Sequence, residues 1–143
     1  MGAPHLIYIL YRLLLSLADN EPSTRIAMIM KQDISIICPE LIARIFALCE
    51  DEDDSIAIMA TVSAELFCAI DGYDWVGFYR VVAPDLLKIG PYQGGHGCLV
   101  IPFDRGVCGA AARQRAIQLV GDVDHFEGHI ACSSSTKSEL VIP

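Results

Sequence analysis

Basic residues are scarce in this chain. Ten Lys and Arg stand against eighteen Asp and Glu in 143 residues, a net charge of −8 and a pI near 4.7. Nothing supplies a phosphate-neutralising basic stripe, which excludes nucleic acid as a partner. A membrane-length hydrophobic run is missing too. Leu6 to Ala18 (LIYILYRLLLSLA) is strongly apolar but interrupted by Arg12, and it falls short of the ~20 apolar residues that cross a bilayer. It lacks a basic lead-in and a small-x-small cleavage pattern, so it reads as an extra helix packed on the domain or on a partner. The acidic run Glu50-Asp51-Glu52-Asp53-Asp54 lacks the alternating ligands and glycine of a calcium loop. It reads as a solvated loop or helix start, where carboxylates suit the positive end of the helix dipole. Close C-x₂-C pairs are also missing. A structural zinc site built from Cys98, Cys108, Cys132 and His96 or His129 is therefore a poor fit, because His96-x-Cys98 is a weak substitute for such a pair. No metal is expected.

What is present is enough apolar side chain, 53% of residues, for one core in a single domain. That content removes the need for disulfide staples, so the six cysteines are expected reduced, in a cytoplasmic protein. Residues 1–38 read as an N-terminal extension of uncertain structure, with 20–37 a poorly specified connector. From Pro39, which suits a first helical turn, Leu41, Ile42, Ile45, Phe46 and Leu48 recur at helical spacing. A second helix is expected from about Asp54 to Ile70, stopped by Asp71-Gly72. Cys38, Cys49 and Cys68 belong to this part of the chain and read as buried inert thiols. Trp75 to Val82 and Leu86 to Tyr92 read as strands joined at Ala83-Pro84-Asp85. Cys98 to Phe103, Ala116 to Val120 and Ser138 to Ile142 make further strands. Gly106 opens an alanine-rich helix. Helices followed by an antiparallel-looking sheet with one internal helix make an α+β domain.

The stretch Gly94 to Glu139 concentrates the chemistry. It holds three of the six cysteines, Cys98, Cys108 and Cys132, and three of the four histidines. Cysteine density of this kind has four physical readings: a disulfide framework, a metal site, a redox centre or inert buried thiols. In a redox centre a thiol oxidised to a sulfenic acid condenses with a second thiol, and an external dithiol resets the pair. Cys108 near a helix N-terminus is favoured as a thiolate by the dipole, whereas Cys132 lies in a polar loop beside His129. The physics leaves the order of attack open.

The pieces Trp75-Val76-Gly77-Phe78-Tyr79, Gly90-Pro91-Tyr92-Gln93-Gly94, Arg105-Gly106-Val107-Cys108-Gly109, Gly128-His129-Ile130-Ala131-Cys132 and Ser138-Glu139-Leu140-Val141-Ile142-Pro143 resemble the free methionine-(R)-sulfoxide reductases. The separations Cys98 to Cys108 and Cys108 to Cys132 match that family's spacing. The resemblance covers roughly residues 39–143 and implies a GAF domain, a six-stranded antiparallel sheet flanked by helices. It implies reduction of free methionine-(R)-sulfoxide, with no bound cofactor and a thioredoxin-like dithiol as reductant, in a protein that dimerises. By resemblance Cys132 attacks, Cys98 resolves and Cys108 is the third member; the alternative has Cys108 attacking and Cys132 resolving. Glu139 matches the acid that polarises the sulfoxide or holds the substrate amine. Trp75 matches a substrate-pocket aromatic, and Tyr79 is a weaker substrate-binding candidate. His129 reads as orienting the cysteine loop or as simply solvated.

Two departures stand out. Ser133 follows the last cysteine where the family has aspartate. The family's next strand, carrying two aspartates that bind the substrate's amino group, and its final helix have no counterpart after Pro143. The expectation is a C-terminally incomplete GAF domain over 39–143, unless the N-terminal segment covers the gap. The alternative to a reductase is an impaired GAF domain that binds a small ligand without turnover.

Overall fold

The strand Tyr73–Ala83 (β2) is built from aromatic and β-branched residues that suit a pleated, packed surface. Residues Trp75 to Tyr79 are buried without a break along it, as a strand covered on both faces must be. The computed structural model describes residues 7–13, 34–130 and 132–143. β2 is one of the two middle strands of a six-stranded sheet. Its other members are β1 (Ile7–Leu13), β3 (Leu86–Gly94), β4 (Val100–Pro102), β5 (Gln118–Val120) and β6 (Ser138–Ile142). They run in the order β4-β3-β2-β1-β6-β5, and every neighbouring pair is antiparallel.

The expected strands and the Pro84-Asp85 turn are present, with Asp85 at φ 56°. The N-terminal segment is a correction. Ile7–Leu13 is a strand rather than part of a packed helix, and it lies between β2 and β6. Ile9 is opposite Phe78 on one side and Ile142 on the other. A short apolar run cannot be told from a buried helix by periodicity alone. What decides here is that β2 and β6 would otherwise each present an unpaired row of backbone donors and acceptors. The place between β2 and β6 is thus taken by a segment that precedes both in the sequence.

Helix α1 spans Ile34–Leu48, so it begins before Pro39, which lies inside it. After an exposed acidic loop, α2 (Ser55–Ala69) starts where Asp54 caps it, Oδ1 accepting from the Ile56 N–H at 2.8 Å. Arg44 on α1 pairs with Glu65 on α2. Ser63 Oγ donates to Met59 O at 2.8 Å and meets Pro91 O at 3.3 Å, which fastens α2 to β3. Cys49 is half-buried and Cys68 is exposed, which corrects the expectation of a buried thiol at Cys68. The buried residues of α2 are Met59 and Ser63, one turn apart, and Cys68 is turned well away from that stripe. The Cys38 side chain lies outside the described residues.

Helix α3 (Gly106–Gln114) covers the other face of the sheet, with every residue from Gly106 to Ala112 buried. Its Val107, Cys108, Ala111 and Ala112 pack with Trp75, Tyr79, Leu87, Ile101 and Val141 in one core. Alternation along β2 turns Val76 and Phe78, also buried, to the opposite side. Gly77 is required where β2 and β3 close up. A Cβ there would stand 2.3 Å from Tyr92 Cβ and 2.8 Å from the Trp75 ring.

Candidate active site

The site is assembled where β2, β6, the start of α3 and the loop after Phe126 meet. Trp75 and Tyr79, two residues of one sheet face, stack with ring centroids 5.9 Å apart, and Trp75 stacks on Tyr92 at 5.3 Å. The Tyr79 hydroxyl donates to the Cys98 carbonyl at 2.8 Å, so the core of the sheet fixes the height of the Cys98 loop. Gly97 lets that loop pass over the aromatics, since a Cβ there would meet Ile89 at 2.9 Å and the Tyr79 hydroxyl at 3.1 Å.

The opposing wall is a looped segment held by backbone hydrogen bonds. Gly106 N–H donates to Gly128 O at 2.8 Å, His129 N–H to Phe126 O at 3.0 Å, and Cys132 N–H to Ile130 O at 2.9 Å. Gly106 and Gly128 both have φ of +74°, which an L side chain rarely adopts. Ile130 lies over Gly106, where a Cβ would approach it to 3.3 Å.

Between these walls is a cleft of about 380 Å³, counting the solvent at its mouth. Trp75, Tyr79, Cys108, His129, Cys132 and Glu139 line it among apolar side chains. Cys132 is joined to Cys98 by a disulfide, Cα to Cα 5.1 Å, which corrects the expectation of wholly reduced cysteines. Cys108, in the first turn of α3, is buried and outside any disulfide. Glu139 is half-buried on β6, its Cα paired across the sheet with Arg12 of β1 and Val120 of β5.

Five of the six site residues read from the sequence thus line one cleft, and the sixth, Cys98, is bonded to one of them. His129 is the residue the sequence undervalued. It lines the cleft, and its Nδ1 is buried with no hydrogen-bond partner. A loop position between Gly128 and Ile130 gave no sign of that burial. Trp75 Nε1 is likewise buried and unpartnered in the same wall. Among the described residues no group of three or more His, Cys, Asp or Glu is arranged to hold a metal ion. Among them, too, no helix is long and apolar enough to cross a membrane.

An antiparallel six-stranded sheet between helices, with a cleft against one face, defines the GAF class of domain. Within that class the chain belongs to the free methionine-R-sulfoxide reductase family. It is 41% identical over 97 residues to the free methionine-R-sulfoxide reductase of Escherichia coli, a match covering 68% of this chain and 58% of that protein. The structure of fRMsr of Staphylococcus aureus in its reduced form is similar at a TM-score of 0.69 and 44% identity, over 73% of this chain and 68% of that one. That of the Neisseria meningitidis free methionine-R-sulfoxide reductase, solved in complex with its substrate, gives 0.70 and 44%, over 73% and 63%. The chain spans less than two thirds of the length of the curated relatives it matches. No family profile matches the sequence.

Proposed function

We propose that this chain reduces free methionine-(R)-sulfoxide to methionine. The observation that carries the reading is the bond tying Cys132, in the wall of an aromatic cleft with a single carboxylate, to Cys98. The disulfide is the oxidised end of the cycle. An external dithiol of the thioredoxin class reduces it to two thiols and leaves as its own disulfide. The Cys132 thiolate attacks the sulfoxide sulfur as the oxygen takes up a proton. The sulfur–oxygen bond breaks, methionine leaves, and Cys132 holds the oxygen as a sulfenic acid. The Cys98 thiol displaces that oxygen as water and restores the disulfide. Trp75 and Tyr79 present apolar ring faces suited to the methylthio group, and Glu139 supplies the charge for the substrate's amino group. Cys132 rather than Cys108 is the attacking thiol in this reading, because Cys132 is the member with a bonded partner. Dimerisation and a cytoplasmic location belong to the same proposal.

One observation favours a second reading, a domain that binds a ligand without turnover. The strand between β2 and β6 reads IYILYRL and carries no carboxylate, so Glu139 alone provides negative charge among the described residues lining the cleft. Methionine release from free methionine-(R)-sulfoxide with dithiothreitol separates the two. Turnover that disappears in Cys132→Ser is the expected result. Binding without methionine release from the folded wild-type chain would replace the reductase by the binding module.

A further inference from the structure

Two polar atoms of the cleft wall are buried and unpartnered, Trp75 Nε1 and His129 Nδ1. A buried polar group left without a hydrogen bond costs about 1–3 kcal/mol, and such a group calls for an explanation. His129 is the more telling of the two. It precedes Cys132 by three residues in the same loop, the backbone of both is hydrogen-bonded in place, and both side chains border the same space. In this oxidised state the Cys132 sulfur is spent in its bond to Cys98, and a disulfide sulfur is a poor acceptor. A thiolate is a strong one.

We propose that His129 is the positioning residue for Cys132, its Nδ1–H donating to the Cys132 sulfur once the disulfide is opened. Reduction by an external dithiol leaves thiols on Cys98 and Cys132. The Cys132 proton passes to the imidazole, giving a thiolate–imidazolium pair. The unpartnered nitrogen of the oxidised form is then the vacated half of that pair. In the reductase reading, on which this step rests, the same proton is delivered to the sulfoxide oxygen as sulfur is attacked. The other titratable groups facing the cleft are Cys108 from α3, Tyr79 from β2 and Glu139 from β6. Cys98, freed by the same reduction, and Cys108 are the competing thiols.

The test uses the reduced full chain. Iodoacetamide alkylation is followed against pH, and modification of Cys132 is separated from that of Cys98 and Cys108 by peptide mass spectrometry. His129→Gln, which keeps a neutral donor and loses the charge, is expected to slow Cys132 alkylation about tenfold at pH 7 and move its profile to higher pH, leaving Cys108 unchanged. Glu139→Gln serves as the control for the neighbouring carboxylate and has a smaller effect. In parallel, NMR of the wild-type chain should resolve a hydrogen-bonded imidazole Nδ1 proton after reduction that is lost on reoxidation. This signal decides the matter if the variant does not fold. An unchanged Cys132 profile in a folded His129→Gln protein, or no redox-dependent Nδ1 proton, overturns the proposal. Neither readout contains methionine sulfoxide, so a chain without turnover would remove the reductase reading and leave this pairing standing.

Discussion

Replacing Gly77 by alanine tests the tightest contact behind the site. The added methyl would stand 2.3 Å from Tyr92 Cβ, 2.8 Å from Tyr92 Cα and 2.8 Å from the Trp75 ring. Carbon atoms pack favourably only at about 3.5–4.0 Å, so β2 and β3 must separate by more than an ångström or the indole must turn. Neither neighbour is the far end of a flexible chain. One is the backbone and Cβ of the paired strand, and the other is a ring stacked on two tyrosines. Overpacking of this kind costs about 1–3 kcal/mol and sometimes more. For a domain of this length each kcal/mol lowers Tm by roughly 3–5 °C, so a loss of about 3–15 °C is expected in a circular dichroism melt. Trp75 is the one tryptophan of the chain, and its fluorescence reports the displaced ring directly. Gly95→Ala is the control, because a Cβ there meets nothing within 4 Å, and it should be neutral or stabilising by a few tenths of a kcal/mol. A Gly77→Ala protein that melts within 2 °C of wild type, with an unchanged emission spectrum, would refute the close β2–β3 approach and with it the stack that forms the cleft wall.

Three further outcomes are expected. Reducing Cys98–Cys132, which closes a loop across a separation of 34 residues, should lower stability by about 3–4 kcal/mol in the chain-entropy account, read as the shift in urea midpoint with and without dithiothreitol. No shift would place the stabilisation elsewhere. Deleting residues 1–13 removes the strand that β2 and β6 share; a cooperative urea transition of unchanged midpoint would show that strand to be dispensable. The Asp122 carboxyl is held below its usual 3.8, first by the hydrogen bond with His125 and then by the Asp124 N–H. A lowered carboxyl adds stability that is full above pH 3.8 and is lost as pH falls through the folded value. Asp122→Asn should therefore slightly flatten the loss of stability between pH 5 and about pH 2, and a steeper loss in acid urea titrations would contradict the assignment.

Much of the fold was written locally. Asp54 before an apolar-periodic run, Pro84-Asp85 between two strand patterns and Gly106 before alanines each signal a boundary through their own backbone chemistry. What was not legible depends on partners distant in sequence. Ile7–Leu13 has the composition of either element, and its state is fixed by β2 and β6. Pro39 suggests a start but falls within α1, and Cys68 follows a helical pattern whose buried stripe is narrower than its apolar content. The three central cysteines were visible as a group. Which two join, and that His129 stands in the same wall with an unpaired nitrogen, needed the loops in place.

The position of β1 also dictates when the domain can come into being. The sheet consists of β4-β3-β2 and β6-β5, and the two parts meet only through β1. During synthesis β1 emerges ahead of both of its neighbours, and β6 is the last of the described strands to appear. One edge of β1 can pair as soon as β2 is made, whereas its other edge stays open until β6 follows. Contacts so distant in sequence form slowly, and an apolar strand with a free edge is what chaperones and aggregation compete for. Glu139, carried by β6, and the cysteine loop before it take their places in the same late step. The cleft is incomplete until β6 is in place.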